Sequence, residues 1–466
     1  MMQKLIENAT HLMLEYPKAG AKQNIKNCIK KVLGKDVPVR DYINWPNGIC
    51  ALGLVEYLEN AERLENAEEA EKKTDETVEW SKDEDSSKCG CPGELGSNEG
   101  IKSSERGEED NAINSIKASL GTFVDQWITS GRKIRSVEDY LSFYALHRYE
   151  VLKKGDESGE DIFSTAYEFL LSDTCRKNEH GSFIYNPRRP ENYVLVDGIG
   201  MVCPFLTLYG IRYQNDTAVI MAITQLDEFM KYGIDKASGL PYHGFELVEH
   251  DSADSEMQKH EKTDLCVTKQ NQAGMFASEQ NLTSSEKLGL VGWGRAVGWL
   301  MMGLAGTLAH MKDTKWEQTE DYSRIRQYLC DLISVISEYQ GEDGLFPWHF
   351  VTSVSREQAA SGNSVATDMA QNTNSEVNCP VHSDTSATAM ICYALAMAVQ
   401  SGVFEDASKV SNILKTAKAS LEKMVTAEGE VPGAQAESLG LGLHPDKFGS
   451  YPWSVGTTLA FLSISE

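Results

Sequence analysis

Val291-Gly-Trp-Gly-Arg-Ala-Val-Gly-Trp-Leu300, running on into Met301-Met-Gly-Leu-Ala-Gly-Thr-Leu-Ala-His310, decides how this chain folds. Past Arg295 the stretch is apolar or small on every side, the pattern of a helix enclosed by other helices. Its glycines allow neighbouring backbones to come close. Trp293 and Arg295 stand at the start of the helix, where both can lean over one cavity, and Trp299 shares a face with Arg295. Aromatic walls with a guanidinium suit a sugar ring that carries a carboxylate. The same letters also suit an ordinary core helix with tight glycine packing and a salt bridge, but the sugar-site reading fits this segment better.

The pattern recurs outward from there. An amphipathic, charged helical stretch is followed by a smoother one rich in Gly, Ala, Ser and aromatics, six times over. The charged members lie near 3–33, 112–130, 159–173, 216–232, 320–340 and 404–425, and the smooth ones start at Trp45, Ser136, Val194, Trp293, Ser383 and Trp453. Strand-like alternation is hard to find. A helix with one polar side belongs outside, and a helix smooth all round belongs inside. Open helical solenoids share this alternation, but the repeats have no common short consensus and the inner members differ in their polar residues. The expectation is an all-α fold, an (α/α)6 barrel or six-hairpin toroid with a site at its mouth, forming one domain over 1–466.

Three segments do not fit the rhythm. Residues 59–110 hold 18 acidic and 7 basic residues with few large apolar groups, and read as a disordered acidic insertion that begins as a helix extension. Residues 251–285 and 354–381 are Ser/Asn/Gln/Thr-rich and without period, and read as disordered polar insertions as well.

Composition narrows the partners. At 466 residues and 41% hydrophobic the chain can bury a large core. Its formal charge of −25 disfavours nucleic acid and anionic membrane surfaces, and an acidic ligand would need a local cationic spot. No apolar stretch is long enough to span a bilayer, and the first residues carry no secretion-type apolar core. The ten cysteines, scattered in helix-like contexts, read as buried thiols of a reducing cytoplasm. Cys89-Gly-Cys91 and Cys379-Pro-Val-His382 have no partner pair at zinc-site spacing, so no structural metal is expected.

Several polar residues open the smooth helices. Asp197 lies in Asn192-Tyr-Val-Leu-Val-Asp-Gly-Ile-Gly-Met201, flanked by apolar residues whose desolvation would favour a proton donor. Read alone, it is more simply a helix N-cap. His243 sits in the turn Gly239-Leu-Pro-Tyr-His-Gly-Phe-Glu246, where a local hydrogen-bonding role is the simpler reading. Trp45-Pro-Asn-Gly48 is a good helix start with an early proline. In His382-Ser-Asp-Thr-Ser386, adjacent Ser, His and Asp cannot form a triad, and Ser383 or Asp384 reads as a helix cap.

Taken in order, these motifs resemble the unsaturated glycuronyl hydrolases, in particular the unsaturated rhamnogalacturonyl hydrolases of glycoside hydrolase family 105 and the related family 88. The matching pieces are Trp45-Pro-Asn-Gly-Ile49, Val196-Asp-Gly-Ile-Gly-Met201, Tyr242-His-Gly-Phe-Glu246, Gly292-Trp-Gly-Arg-Ala-Val-Gly-Trp299, Tyr339-Gln-Gly-Glu-Asp-Gly-Leu345, Asp384-Thr-Ser-Ala-Thr-Ala-Met390 and Tyr451. The resemblance implies the (α/α)6 fold and a reaction on short oligosaccharides left by polysaccharide lyases. One carboxylic acid protonates C4 of the 4,5-unsaturated uronic acid at the non-reducing end, water adds at C5, and the hemiketal opens. Such chemistry needs no second carboxylate at glycosidase spacing, no metal and no cofactor. Asp197 matches the proton donor. His243, Trp293, Arg295 and Trp299 match positions lining the uronate site: Arg295 for the carboxylate or ring oxygens, the tryptophans for stacking, His243 for orienting water or hydroxyls. Trp45, Asn47 and Tyr451 are further candidates for contact with substrate.

Two departures fall at substrate-contacting positions. A histidine the family commonly carries upstream of the acid appears here as Tyr185-Asn186. A polar residue opening the second smooth helix falls within Ser136-Val-Glu-Asp139, where either Glu138 or Asp139 fills the position. The uronate and its neighbouring sugar therefore stay unassigned. Two other functions share the fold: a sugar epimerase or isomerase, which would want a pair of inner-helix histidines where only His243, His349 and His382 are on offer, and a non-catalytic sugar binder, which would be expected to have lost the acid.

Overall fold

A computed structural model describes residues 1–16, 29, 32, 43–79, 99–131, 133–152, 160–248, 284–350 and 382–465. Twelve α-helices lie among them, and they fall into the two kinds the patterning predicts. The inner set comprises α2 (Trp45–Glu79), α4 (Tyr140–Leu152), α6 (Val196–Arg212), α8 (Gly294–Met311), α10 (Thr385–Gln400) and α12 (Pro452–Ile464). The outer set is α1 (Met2–Glu15), α3 (Glu99–Thr129), α5 (Glu160–Leu171), α7 (Asp216–Tyr232), α9 (Glu320–Ile336) and α11 (Ser408–Met424).

Burial separates the sets. Along α11 only Val410, Ile413, Ala417 and Leu421 are buried, a stripe at spacings of three and four. On α8 every residue but Ala309 and His310 is buried, and α12 is buried throughout. Each inner helix packs on the next, α2 on α4, α4 on α6, α6 on α8, α8 on α10, α10 on α12, and α12 returns to α2. The ring is closed, as a toroid requires and an open solenoid does not.

Closure depends on glycines. A Cβ on Gly456 of α12 would stand 2.4 Å from the Ile49 carbonyl oxygen of α2, and one on Gly53 would stand 2.4 Å from the Gly456 carbonyl oxygen. Backbone meets backbone at the seam, with no flexible side chain to give way.

The structure departs from the patterning in two ways. The acidic stretch begins as the expected helix extension, α2 continuing to Glu79, but its far end is helical too, since α3 begins at Glu99. Good helix formers such as Glu, Ala and Lys dominate there, and propensity overrides the shortage of apolar groups. The middle of that stretch, 80–98, nearly all of 251–285 and the whole of 354–381 lie outside the described residues, as do Cys89, Cys91 and Cys379 and much of the 3–33 region. The second departure is strand. Val194–Leu195 (β1), Gly244–Val248 (β2) and Ser284–Leu288 (β3) form an antiparallel sheet in that order, with Val194 opposite Phe245 and Gly244 opposite Leu288. Ala434–Gln435 (β4) pairs with Phe448–Gly449 (β5). Strands of two to five residues are too short to show a period of two in the sequence. All of them lie in the connections that lead into inner helices.

Towards the inner helices' C-termini, the opposite end of the ring carries a largely buried charge cluster. Arg148 pairs with Glu59 and, at 2.7 Å, with Glu56, and its Nη1 donates to the Tyr393 hydroxyl at 2.9 Å. Burial raises the pKa of Glu56, and the Arg148 charge opposes it.

The seam can be tested directly. Replacing Gly456 by Ala is expected to destabilise the protein by about 1–3 kcal/mol in urea unfolding, because overpacked backbone must shift. Gly121→Ala on α3, where a Cβ meets nothing within 4 Å, is expected to be neutral or stabilising by up to about 1 kcal/mol.

Candidate active site

At the N-terminal end of the inner helices lies a cavity of about 500 Å³. Its walls include Trp45, Glu138, Tyr185, Asp197, His243, Trp293, Arg295 and Trp299, eight positions scattered over most of the chain that the sequence marks as candidates.

Local pairing brings the two central groups together. β1 runs directly into α6, whose first turn holds Asp197, and the Val196 amide donates to the His243 carbonyl at 3.0 Å. That β1–β2 contact leaves Asp197 Oδ2 3.2 Å from His243 Nε2. Leu195, not Asp197, occupies the cap position of α6, so the carboxylate is not spent on capping. Asp197 Oδ2 and His243 Nδ1 are buried atoms with no hydrogen-bond partner in the protein. A buried acceptor left unpaired costs free energy unless something else meets it, and a bound substrate is such a partner.

The aromatic wall is held by Gln435 of β4. Its side-chain oxygen accepts from Trp293 Nε1 at 2.9 Å, and its carbonyl accepts from both Arg295 Nη1 at 2.7 Å and Trp453 Nε1 at 2.9 Å. Arg295 Nη2 donates to the Ala436 carbonyl at 3.0 Å. The guanidinium lies over the rings of Trp293 and Trp453, centroids at 4.6 and 5.4 Å, and the Asp384 carboxylate is 4.0 Å away. Arg295 is only 2% exposed, so its charge is met largely within the protein, and burial lowers its pKa against the pull of Asp384 and Asp197. It forms a fixed positive floor. Trp45 packs edge-on to Trp299, ring centroids 5.8 Å apart, which completes an aromatic corner.

The polar position on the second inner helix is resolved in favour of Glu138. It lines the cavity and is hydrogen-bonded by the Tyr185 side chain, whose hydroxyl pKa is pushed well up by burial first and by Glu138 and Asp197 next. Asp139 is buried and accepts from the Arg135 amide at 2.8 Å. Asn47 also turns away: its amide donates to the carbonyls of Leu12, Met13 and Tyr16, closing the C-terminal end of α1. Tyr451 is outside the lining. It caps α12 and stacks on Trp453 with centroids 4.7 Å apart and planes 9° from parallel. Asp384 caps α10 as expected, accepting from the amides of Ser386 and Ala387. Sequence spacing marks helix starts but cannot tell a side chain that faces the axis from one that secures a neighbour.

Two wall segments went unrecognised in the sequence. One holds Arg189, Glu191 and Tyr193, beyond the Tyr185-Asn186 pair already marked, and the other is Glu437-Ser-Leu-Gly-Leu441. Partial burial raises the Glu437 pKa, and Arg295 opposes it. The first loop had a visible signal, the rigid basic run Asn186-Pro-Arg-Arg-Pro190 just ahead of Asp197. Behind Trp293 lies His444, ring centroids 4.9 Å apart, with both ring nitrogens buried and unpartnered. Burial, and then the positive potential of His243 and Arg295, pushes its pKa down to about 4.

No family model matches the chain, and no curated protein matches it in sequence. Solved structures do match. A possible member of glycoside hydrolase family 105 from Salmonella enterica serovar Paratyphi A superposes with a TM-score of 0.61 at 14% identity, over 100% of this chain and 93% of its own. A family 105 glycoside hydrolase from C. acetobutylicum gives 0.54 at 15%, over 96% and 99%. The unsaturated glucuronyl hydrolase of Bacillus sp. GL1, responsible for the degradation of glycosaminoglycan, gives 0.54 at 13%, over 99% and 96%. The fold is their (α/α)6 barrel. Within the barrel, the cavity found here sits where the inner helices begin.

Two outcomes follow from this geometry. Asn47→Ala should cost about 1–3 kcal/mol in chemical unfolding, because it strands buried carbonyls of α1. His444 is neutral in the folded protein below its usual pKa near 6.5, so between that value and about 4 the unfolded chain binds the extra proton. Stability therefore falls as pH drops through this window, and His444→Phe should lose less thermal stability than the parent between pH values near 7 and near 4.5.

Proposed function

We propose that this protein is a glycoside hydrolase that removes the 4,5-unsaturated uronic acid from the non-reducing end of lyase-generated oligosaccharides. The carrying observation is Asp197: a carboxylate oxygen with no protein hydrogen bond, 3.2 Å from His243, in a cavity walled by Trp45, Trp293 and Trp299 over the Arg295 charge. An aromatic pocket of that volume suits a sugar ring.

In this reading protonated Asp197 delivers its proton to C4 of the vinyl ether, and positive charge develops at C5 and the ring oxygen. Water adds at C5 and gives its proton back to the Asp197 carboxylate, which is restored as the acid. His243 orients that water or a substrate hydroxyl. The hemiketal then opens, yielding a keto-uronate and the shortened sugar. One molecule of water is consumed and the acid is regenerated. The tryptophans hold the ring in place, which is where much of the rate enhancement would come from.

An epimerase or isomerase would need a second titrating base at the ring. Among the described residues lining the cavity His243 is the only histidine, and His349 is tied to the Val291 carbonyl at 3.1 Å away from the lining. No described helix is long and apolar enough to cross a membrane. The described cysteines are all free thiols, four of the five buried, which supports a reducing compartment such as the cytoplasm.

Consumption of an unsaturated uronyl disaccharide removes the conjugated C=C–COO⁻ chromophore, so ultraviolet absorbance should fall with the wild-type protein. Asp197→Asn should stop that loss, by at least about 10³-fold in kcat, with helix content unchanged by circular dichroism. Retention of most activity in that variant would remove Asp197 from the role of acid.

A further inference from the structure

The cavity has a charge problem that the reaction alone does not solve. Beside the acid Asp197 its lining holds three carboxylates, Glu138, Glu191 and Glu437, against two guanidinium groups. One of these, Arg295, already gives its two terminal nitrogens to the carbonyls of Gln435 and Ala436. The other is Arg189. Its side chain makes no ion pair or hydrogen bond among the described residues, and it stands exposed at the cavity rim.

Arg189 is nonetheless presented on a braced platform. The neck of its loop is closed by the Tyr185 amide donating to the Tyr193 carbonyl at 2.9 Å. Inside the loop the Arg189 amide donates to the Asn186 carbonyl at 3.1 Å. From outside, the Arg176 guanidinium binds the Arg189 carbonyl and the Asn192 side chain, and the Asn192 amide donates to Glu246 at 2.9 Å. A rigid backbone carrying a free guanidinium is suited to planar, two-pronged recognition of a carboxylate.

Resting on the reading above, we propose that Arg189 receives the carboxylate of the unsaturated sugar, and that the cavity selects substrates carrying this one negative charge. A second anionic group, such as a sulfate on the neighbouring sugar, would meet the acidic wall with no free cation left to pair it. Rejection by unpaired like charge is a common source of specificity. The preferred neighbouring sugar is therefore neutral.

The test measures kcat and KM for an unsaturated uronyl–hexose disaccharide and for its sulfated counterpart, with wild-type protein, Arg189→Gln and Arg189→Lys. Arg189→Gln should raise KM for the neutral disaccharide about 10–100-fold with kcat changed less than about threefold, and Lys should restore part of the loss. The sulfated substrate should show kcat/KM at least about 10-fold lower with wild-type protein. An unchanged KM in Arg189→Gln, or equal turnover of both substrates, overturns the inference while leaving the hydrolase reading intact. If wild-type protein consumes neither substrate, the reaction fails, and tryptophan fluorescence titration with galacturonate and methyl galactoside decides the site. A preference for galacturonate that Arg189→Gln abolishes supports the assignment, and identical titrations of the two proteins overturn it.

Discussion

Ring closure at the α2–α12 seam is the constraint on which the rest depends. Six smooth helices in sequence make an arc, and they enclose an interior only if the last meets the first. Here Gly53 and Gly456 remove the side chains that would hold α2 and α12 apart, and the backbones touch directly. Once the ring closes, all six inner helices start at one end. Their N-terminal residues converge on one volume, although hundreds of positions separate Trp45 from Trp453. The convergence follows from topology and needs no long-range pairing signal in the chain.

The second level of organisation lies in the connections. Short β pairings set where each helix begins its first turn. β1 against β2 places the His243 carbonyl on the Val196 amide and brings an imidazole beside the Asp197 carboxylate. β4 puts Gln435 where its one side chain and one carbonyl hold Trp293, Arg295 and Trp453 at once. Trp293, Arg295 and Trp453 are thus anchored from within the protein, whereas Asp197 Oδ2 and His243 Nδ1 have no hydrogen-bond partner there.

Much of this was legible in the letters. Periodicity distinguished inner from outer helices, because a helix enclosed on all sides must be smooth all round, and the starts at Trp45, Val194, Trp293, Ser383 and Trp453 fall within two residues of the observed ones. Trp293, Arg295 and Trp299 stood out at a helix mouth, whereas Asp197 and His243 were marked only by the family resemblance of the motifs that hold them; all five line one cavity. Asn47, Asp139 and Tyr451 stood at the same kind of place and serve capping and packing instead, since one residue of helix rotation turns a side chain by about 100°. The short strands and Gln435 left no trace, because a two-residue pairing has no period and a lone glutamine no pattern. In the acidic stretch after residue 59 the helix extension was legible and the helical start at Glu99 was not, because a scarcity of apolar residues argues against a core but not against a solvated helix.

The charge cluster at the far end of the barrel joins three inner helices. Arg148, with Glu56, Glu59 and Tyr393, lies eight to fourteen residues along its helices from their starts, roughly 12–20 Å down the axis at the rise of an α-helix. The cluster ties α2, α4 and α10 to one another at the end away from Asp197, so three inner helices are clamped far from the cavity their starts surround. Taking one partner away would leave a charge without its counter-charge, a cost that falls on the ring as a whole.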